Sequence, residues 1–521
     1  MDLGSILEAR ARAHGDKVFA LFENQKIKYE EFNHNTNKIA NSLYELGVRK
    51  GDHIAALMPN HIDFVYLFFA VAKLGAVCVF IDTNYNAEFL KHAIQISDSK
   101  VAVIGEDFYG TYQQIRAHLD KVEIEIAYPN NKQFRPNIKV SFDDFFNGSM
   151  SRPPFVSIKS GDIVQFIFTS GTTGFPKPCI ISHNARIAAS EHVNKSLAIT
   201  SEDVFYACLP NYHGNVYHGI NGALLAGGSF ALGKNFSVSK YWDEVRRYKA
   251  SILVLHITPM NLLAMQPIKT SDWNNPARAS LFAVGPYAKE FLKRFNIKTG
   301  LVLYGTTETG GFTTMSACDI KNFPEDPRFC GKSRDDFEVK IVNDEDEELS
   351  VGEIGEIIVR PRKPFVMYGG YYNMPGKTVE KIQNLYFHTG DLGFQDVEGN
   401  LYFLERKDDS IRVKGNFVSA EHIESIIRAH PKVKETAAIG VASEIGEQDI
   451  KIFIQPLENA EISPIEIISY CQEHLSGYFM PRYVEFIDCF PVASSALKIQ
   501  KAELRKRGIG HAWDGKTGKW V

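Results

Sequence analysis

The sequence predicts an α/β protein with a large N-terminal domain of layered sheets and helices, a β-rich part near its end, and a small α+β C-terminal domain. Short apolar strands alternate with helical periods through the first 400 residues, which is typical of helices packed on buried sheets. Near residue 343 the pattern changes to hairpins. The length of 521 residues also exceeds what one hydrophobic core usually holds.

The elements follow from these apolar patterns in chain order. The longest apolar run, residues 64–81, contains Lys73 and Gly75. We therefore predict a buried helix that ends at Gly75 and a core strand, Ala76–Ile81, instead of a membrane span. Further strands are predicted at Val101–Ile104, Ile163–Phe168, Cys179–Ile181, Ser251–Leu255, Gly300–Tyr304 and Glu356–Val359.

The last hundred residues have a pattern of their own. Ile423, Ile426 and Ile427 form one apolar helical face, and the helix must stop before Pro431. Strands are predicted at Ala437–Val441 and Ile450–Ile454. The charged stretch Glu405–Ser410 lies between two strand-like segments and is a candidate interdomain connector.

Composition excludes several classes of protein. Lys plus Arg number 58 and Asp plus Glu number 62, so the formal net charge of −4 favours neither nucleic acid nor an anionic membrane as a partner. The seven cysteines show no Cys-x-x-Cys spacing, which fits buried thiols in a reducing compartment better than disulfides or a zinc site. No apolar signal core follows Met1. We predict a cytoplasmic protein.

The strongest motif is a loop between two strands, Phe168–Lys177. Its glycines let the backbone approach a ligand closely, its hydroxyls and amides can donate to phosphate oxygens, and its lysine adds a positive charge. No Gly-Lys-Ser/Thr leads into a helix, so this is not a Walker motif. The loop therefore predicts a grip on a polyphosphate through Thr169, Ser170, Gly171, Thr172, Thr173, Gly174 and Lys177.

Two further motifs place carboxylates just after strands or tight turns. In Tyr304–Glu308, an aromatic ring, a glycine and a carboxylate suit a nucleotide at the carboxyl edge of a sheet, with a strand-end turn as the alternative. In His388–Asp391, the acid could accept both ribose hydroxyls or merely cap a turn. The acidic segment Asn343–Glu348 lacks the glycine and ligand spacing of a calcium loop and is predicted to be a solvated turn.

In order and spacing, these motifs resemble the adenylate-forming superfamily of acyl-CoA synthetases, adenylation domains and luciferases. The resemblance covers nearly the whole chain, including the segments Leu209–His213 and Lys498–Lys501. It implies a two-step reaction. A carboxylate attacks the α-phosphate of ATP to give an acyl-adenylate and pyrophosphate, and a thiol, usually of coenzyme A, then releases AMP.

The resemblance also implies a role for each matching residue. Glu308 would bind Mg²⁺, Thr307 would contact the α-phosphate, and Lys498 would bridge the carboxylate and that phosphate. The nucleotide would lie against Gly285, Pro286, Tyr304, Gly305, Thr306, Asp391 and Arg406. The domains would be residues 1–405 and 411–521, joined by a hinge at 406–410 that contains Asp408. Lys414 and Gly415 would serve the thiol step, and Tyr212 and His213 would border the acyl pocket.

Four departures from the family pattern are visible. Pro178 follows Lys177 where glycine is common, Glu405 precedes the connector arginine, and Leu497 replaces a glycine beside Lys498. The segment Ala283–Pro286 replaces Gly-Gly-Ala-Pro. None removes a charged catalytic group, so they bear on loop mobility and efficiency more than on reaction class.

Within the superfamily, the sequence looks most similar to carnitine/crotonobetaine–CoA ligases and fatty-acyl-CoA synthetases. The expected partners are a carboxylic acid, ATP and coenzyme A, with a homodimer left open. Two alternatives stay open at this point: an enzyme that loads a carrier protein, and a non-catalytic nucleotide-binding relative.

Overall fold

A computed structural model shows a mixed α/β fold with a large N-terminal domain and a smaller C-terminal domain. It describes residues 1–129, 138, 140–169, 175–282, 285, 287–310, 313–407, 411–413, 416–418, 420–443, 448–475, 479–492 and 499–521. The α/β class with buried sheets is therefore confirmed. The domain bounds proposed above stay predictions.

The strands of the described residues belong to four sheets. They are β1 Val18–Phe22, β2 Gln25–Lys28, β3 His53–Leu57, β4 Val77–Phe80, β5 Val101–Gly105, β6 Ile124–Tyr128, β7 Val140–Ser141, β8 Ile163–Thr169, β9 Lys177–Ser182, β10 Val204–Ala207, β11 Ser229–Leu232, β12 Ile252–Val254, β13 Ala279–Leu281, β14 Thr299–Tyr304, β15 Thr314–Asp319, β16 Phe329–Ser333, β17 Phe337–Val342, β18 Gly355–Pro361, β19 Ile382–Gln383, β20 Tyr386–Gln395, β21 Asn400–Arg406, β22 Ile411–Val413, β23 Asn416–Val418, β24 Val433–Ala442, β25 Gln448–Pro456, β26 Tyr483–Phe486, β27 Trp513–Asp514 and β28 Lys519–Trp520.

The α-helices of the described residues alternate with these strands. They are α1 Leu3–His14, α2 Tyr29–Glu45, α3 Ile62–Leu74, α4 Ala87–Ile96, α5 Tyr109–Ile115, α6 His183–Ser196, α7 Val216–Ala226, α8 Tyr241–Tyr248, α9 Ile257–Ala264, α10 Ala288–Arg294, α11 Pro375–Glu380, α12 Ala420–Arg428, α13 Pro464–His474 and α14 Lys501–Arg505.

Two large sheets form the N-terminal domain. A seven-stranded sheet has the order β7-β6-β5-β3-β4-β8-β9, parallel except for the β8–β9 hairpin. A fourteen-stranded sheet begins with β2 and β1, runs through parallel strands to β14, and continues as antiparallel strands to β17. The parallel strands carry nearly continuous apolar sequence because both of their faces are covered.

The predicted helix–strand break at Gly75 is confirmed. Helix α3 ends at Leu74, and Gly75 caps it with φ of 65°, a left-handed conformation that glycine adopts without steric cost. Strand β4 follows, and α3 is buried along almost its whole length. Among the described residues, no helix is long and apolar enough to cross a membrane.

The C-terminal part contains a separate five-stranded sheet, β24 to β28 in order, and the β22–β23 hairpin. Helix α12 buries Ile423 and Ile427 in a core cluster with β24 and β25, as the apolar period predicted. The acidic segment at 343–348 forms a turn in which Asn343 Oδ1 accepts hydrogen bonds from the Glu345 and Glu347 amides. The solvated turn is thus confirmed.

Candidate active site

The predicted phosphate loop spans a hairpin. Thr169 and Lys177 are opposite residues in the antiparallel pair of β8 and β9. This pairing confirms the two predicted strands on either side of the motif and shows that they are antiparallel neighbours. Residues Ser170, Gly171, Thr172, Thr173 and Gly174 lie outside the described residues.

The base of this hairpin is held on its outer side as well. The amide of Ile180 donates to the Gly370 carbonyl at 3.0 Å, and the Gly369 amide donates to the Ile180 carbonyl at 2.8 Å. Tyr372 N donates to the carbonyl of Pro178 at 2.9 Å. Pro178 lacks an N–H, but its carbonyl takes part in this ladder, so the proline is compatible with the edge strand β9.

Asp391 lies in the middle of β20 with 2% of its surface exposed. Its Oδ2 atom accepts a hydrogen bond of 2.5 Å from the Tyr304 hydroxyl. Nε of Arg406 lies 2.9 Å from Oδ1, yet this buried oxygen accepts no well-directed hydrogen bond within the described part of the chain. Burial raises the pKa of Asp391, and the Arg406 charge and the Tyr304 hydroxyl oppose that rise.

The turn that carries Asp391 is anchored on the neighbouring strand. The Thr389 hydroxyl donates to the Ile357 carbonyl at 2.6 Å, and the Gly390 amide donates to Glu356 Oε1 at 3.0 Å. Gly390 has φ of 73°, where glycine is favoured. The turn is therefore hydrogen-bonded to β18, and within the described part of the chain Oδ1 of Asp391 keeps an acceptor position for a hydroxyl donor.

Tyr304 lies at the end of β14, as predicted, and 8% of its surface is exposed. Its ring stacks on Phe403 at 5.9 Å between centroids. With its hydroxyl on Asp391, Tyr304 connects the strand end to the predicted ribose carboxylate. Stacking of its ring near adenine stays a prediction.

The turn after β14 brings Glu308 back toward the hairpin base. Thr306 N donates to Thr309 Oγ1 at 2.9 Å, which closes the turn. The Tyr371 hydroxyl donates to Glu308 Oε1 at 2.7 Å. Gly305, Thr306, Thr307 and Glu308 all remain partly exposed, as residues that meet a ligand would.

The donor set at Glu308 fits a magnesium ion that arrives with a nucleotide. Mg²⁺ usually takes one or two carboxylates and completes its shell with phosphate oxygens and water. No group of three or more His, Cys, Asp or Glu side chains that could hold a metal occurs among the described residues. A single hydrogen-bonded carboxylate near the base of the β8–β9 hairpin matches the first arrangement and not a closed protein cage.

A polar and aromatic cluster surrounds the predicted acyl-pocket residues. Asn84 donates to the Tyr212 hydroxyl at 3.0 Å. The rings of His213 and His256 are 4.8 Å apart, and His256 is 4.6 Å from the Phe282 ring. The Asn215 amide lies 2.8 Å from His256 Nε2.

A buried arginine supports the loop that carries His213. Arg186 Nη1 donates to the carbonyl of Gly214 at 3.1 Å, and its Nε donates to Gln165 Oε1 at 2.8 Å. The first of these bonds fixes the backbone between His213 and Asn215. Arg186 was not predicted from the sequence, since a single arginine in a helix carries no motif.

Several predicted residues lie outside the described part of the chain. They are Pro286, Asp408, Lys414, Gly415 and Lys498, and their roles stay predictions. Gly285 is described and has φ of 89°, and it lies three residues after the Phe282 of the aromatic cluster.

The described ends of the connector are held by charged groups. Glu405 Oε2 accepts a hydrogen bond of 3.0 Å from the amide of Ala420, the first residue of α12. Lys407 Nζ lies 2.8 Å from Glu356 Oε2. Burial by itself raises the pKa of Glu356, but hydrogen bonds from His388 and Lys407 outweigh this effect and lower the pKa to about 2. The carboxylate is therefore ionised at neutral pH.

Two protein-family models match this chain. A family model described as AMP-binding enzyme matches residues 7–372, and a model for the C-terminal domain of AMP-binding enzymes matches residues 422–496. The crotonobetaine/carnitine–CoA ligase of Salmonella paratyphi B is 29% identical over 510 residues, covering 94% of this chain and 96% of the relative.

Solved structures share the fold. The anthranilate CoA ligase AuaEII with anthranoyl-AMP has a TM-score of 0.83 at 22% identity, covering 97% of both chains. A fatty acyl CoA synthetase of Mycobacterium tuberculosis has a TM-score of 0.75 at 24% identity, covering 97% of this chain and 98% of that one. The o-succinylbenzoate CoA synthetase of Bacillus subtilis with ATP and magnesium reaches 0.82 at 23% identity, covering 96% and 99%.

The AMP-binding enzyme model alone covers well over half of the chain and falls on the N-terminal sheets, and the second model falls on the C-terminal unit described above. This chain belongs to the family of AMP-binding enzymes, and its class is that of the AMP-forming acid–thiol ligases.

Proposed function

We propose that this protein is an ATP-dependent acid–CoA ligase. The observation that carries the proposal is the buried carboxylate of Asp391, whose Oδ1 lacks a well-directed donor among the described residues while Tyr304 and Arg406 hold the side chain in place. A ribose hydroxyl is the donor that fits this oxygen. The cytoplasmic location remains a prediction.

In the first step, a carboxylate oxygen of the acid attacks the α-phosphorus of ATP. The bond to the bridging oxygen of the β-phosphate breaks, and pyrophosphate leaves. Asp391 would hold the ribose, and Lys177 with the hairpin loop would hold the outer phosphates. Lys498 would neutralise the two anions that approach each other, because charge builds between them in the transition state. A magnesium ion at Glu308 would neutralise the phosphate charge.

In the second step, the thiolate of coenzyme A attacks the acyl carbon of the mixed anhydride. The carbon–oxygen bond to AMP breaks, and the thioester and AMP are released. The residues predicted for this step, Lys414 and Gly415, lie in the C-terminal part, which would present them after rotating about the connector.

We propose further that the acid is small and polar, of the carnitine or crotonobetaine kind, and not a long-chain fatty acid. Support comes from the groups around His213: the Asn215–His256 hydrogen bond and the neighbouring Phe282 ring. Burial lowers the pKa of His256 to about 3, so its ring is neutral at physiological pH and offers a hydrogen-bonding aromatic face without charge. The 29% identity to a crotonobetaine/carnitine–CoA ligase agrees with this.

A screen of carboxylic acids for AMP and CoA-thioester production tests both proposals. It should include carnitine, crotonobetaine, aromatic acids, and short, medium and long fatty acids. We expect thioester formation with polar short acids and at most weak turnover of long-chain acids. Asn215→Leu should lower kcat/KM for the polar acid by about fivefold to tenfold, because one hydrogen bond in the pocket is lost.

Asn184→Leu is the matched control for Asn215→Leu. The Asn184 amide donates to the Pro364 carbonyl at 3.0 Å and does not contact His256. Equal effects of the two substitutions would contradict the pocket assignment. If a thioester forms on a carrier protein but not on free coenzyme A, the acceptor is the carrier-protein thiol and the proposed acceptor is wrong. If no acid yields AMP, the protein is a non-catalytic relative.

The hinge prediction has its own test. Asp408→Pro should leave acyl-adenylate formation nearly unchanged and slow thioester formation at least about tenfold, since proline restricts the backbone rotation that a hinge requires. The two half-reactions are measured separately, by ATP–pyrophosphate exchange and by single-turnover thioester formation. Equal loss of both would show that the connector is not a hinge for the second step.

A further inference from the structure

Tyr371 contacts both charged groups that are predicted to act on the phosphates. Its hydroxyl donates to Glu308 Oε1 at 2.7 Å. The Lys177 Nζ atom lies 4.9 Å from the centroid of the same ring, within the range of a cation–π contact. One side chain, with 3% of its surface exposed, thus joins the predicted magnesium carboxylate to the lysine of the phosphate loop.

The backbone around Tyr371 leaves the ring little freedom. Its amide donates to Thr378 Oγ1 at 2.9 Å, and it forms a β-bridge with Cys179 of strand β9. Three residues earlier, the Tyr368 amide donates to the Glu308 carbonyl at 2.9 Å. The segment is therefore bonded to the hairpin base on one side and to the Glu308 turn on the other.

The hydroxyl of Tyr371 occupies only part of the acceptor capacity of Glu308. A carboxylate offers about four lone-pair positions on two oxygens, and the hydrogen bond from Tyr371 uses one of them on Oε1. The remaining positions stay available for a cation.

Such a donor matters because Mg²⁺ requires near-octahedral geometry and binds few protein ligands. Hydrogen bonds to ligating carboxylates orient them, and their loss typically weakens metal binding by about 10–100-fold. A carboxylate without its partner must be ordered each time the ion binds.

We propose that Tyr371 is a positioning residue, whose hydroxyl orients Glu308 for a divalent cation and whose ring orients Lys177 for a phosphate. The inference rests on the proposed ATP- and magnesium-dependent reaction. It predicts that the two roles can be separated, because phenylalanine keeps the ring and removes only the hydroxyl.

The test measures ATP binding by calorimetry without a carboxylic acid, once in EDTA and once in saturating Mg²⁺. The ratio of the two dissociation constants reports the coupling between cation and nucleotide. Tyr371→Phe should leave ATP affinity in EDTA unchanged and reduce the Mg²⁺-dependent gain about tenfold. Tyr371→Leu should reduce that gain and also weaken binding in EDTA, since Lys177 loses the ring.

Tyr368→Phe is the matched control. The Tyr368 ring is 5.3 Å from that of Tyr371, and its buried hydroxyl has no hydrogen-bond partner among the described residues. Its removal should change neither constant. The inference would be overturned if Tyr371→Phe kept the full Mg²⁺-dependent gain in ATP affinity, or if Tyr368→Phe lost as much of it. Either result would leave the proposed function unaffected. Wild-type protein that binds ATP in neither condition would overturn the proposed function as well.

Discussion

Replacing Lys498 with alanine is expected to slow ATP–pyrophosphate exchange by about 100-fold or more while leaving ATP affinity nearly unchanged. The reason is electrostatic: a carboxylate and a triphosphate are both anions, and a cation between them stabilises the transition state more than the bound substrates. The rate of ATP–pyrophosphate exchange in the presence of the acid measures this step. Calorimetry measures the affinity for ATP in the ground state.

Lys506→Ala is a suitable control for Lys498→Ala. Lys506 is an exposed lysine eight positions further along, directly after helix α14, and its Nζ lies 2.6 Å from Glu503 Oε1. Its removal takes one positive charge from the same part of the sequence, at a residue with no proposed role. If Lys498→Ala keeps its exchange rate, or if Lys506→Ala loses as much, the catalytic role of Lys498 is wrong.

Asp391→Asn is expected to raise the KM for ATP by about tenfold to 100-fold. Hydrogen bonds to a charged acceptor contribute about 1.5–3 kcal/mol, and the amide cannot accept in the same way from both ribose hydroxyls. The sharpest measurement compares ATP with 2′-deoxy-ATP in each protein. Wild type should discriminate between the two nucleotides, and Asp391→Asn should lose most of that discrimination, because both changes remove the same contact.

Glu356→Gln is the control that distinguishes ribose binding by Asp391 from a general disturbance of the turn that carries Asp391. Glu356 is also a buried carboxylate, and it accepts from the Gly390 amide next to Asp391. Its substitution should leave the preference for ATP over 2′-deoxy-ATP intact even if stability falls. If Asp391→Asn still discriminates between ATP and 2′-deoxy-ATP as well as wild type does, Asp391 does not bind the ribose.

Much of the fold could be predicted because strands and helices leave local traces. The apolar runs at 251–255 and 300–304 became β12 and β14, and a glycine at position 75 ended α3. The order of strands in a sheet leaves no such trace. Strand β1 pairs in parallel with β11, more than 200 residues away, because of packing that no short window of sequence contains.

Motifs in the sequence likewise identify the charged candidate residues, whose roles stay predictions, whereas no motif identifies the aromatic and amide groups that contact them. Tyr371 sits in a run of tyrosines and glycines that suggests only a turn, and its contact with Glu308 spans 63 positions. The Asn215–His256 pair spans 41. The sequence feature nearest to Tyr371 is Pro375, which starts helix α11. It indicates where the segment that contains Tyr371 ends, but it does not indicate the contact with Glu308.

The pairing of Thr169 with Lys177 has a consequence for how this protein family can change over time. The register places the two ends of the phosphate loop side by side, and the ladder to residues 369–372 keeps them there. Lengthening such a loop costs only about 0.6 kcal/mol for each doubling of its length. Insertions between these two residues therefore leave the sheet intact, so the loop can be resized as a module while the scaffold that carries Asp391 and Glu308 stays the same.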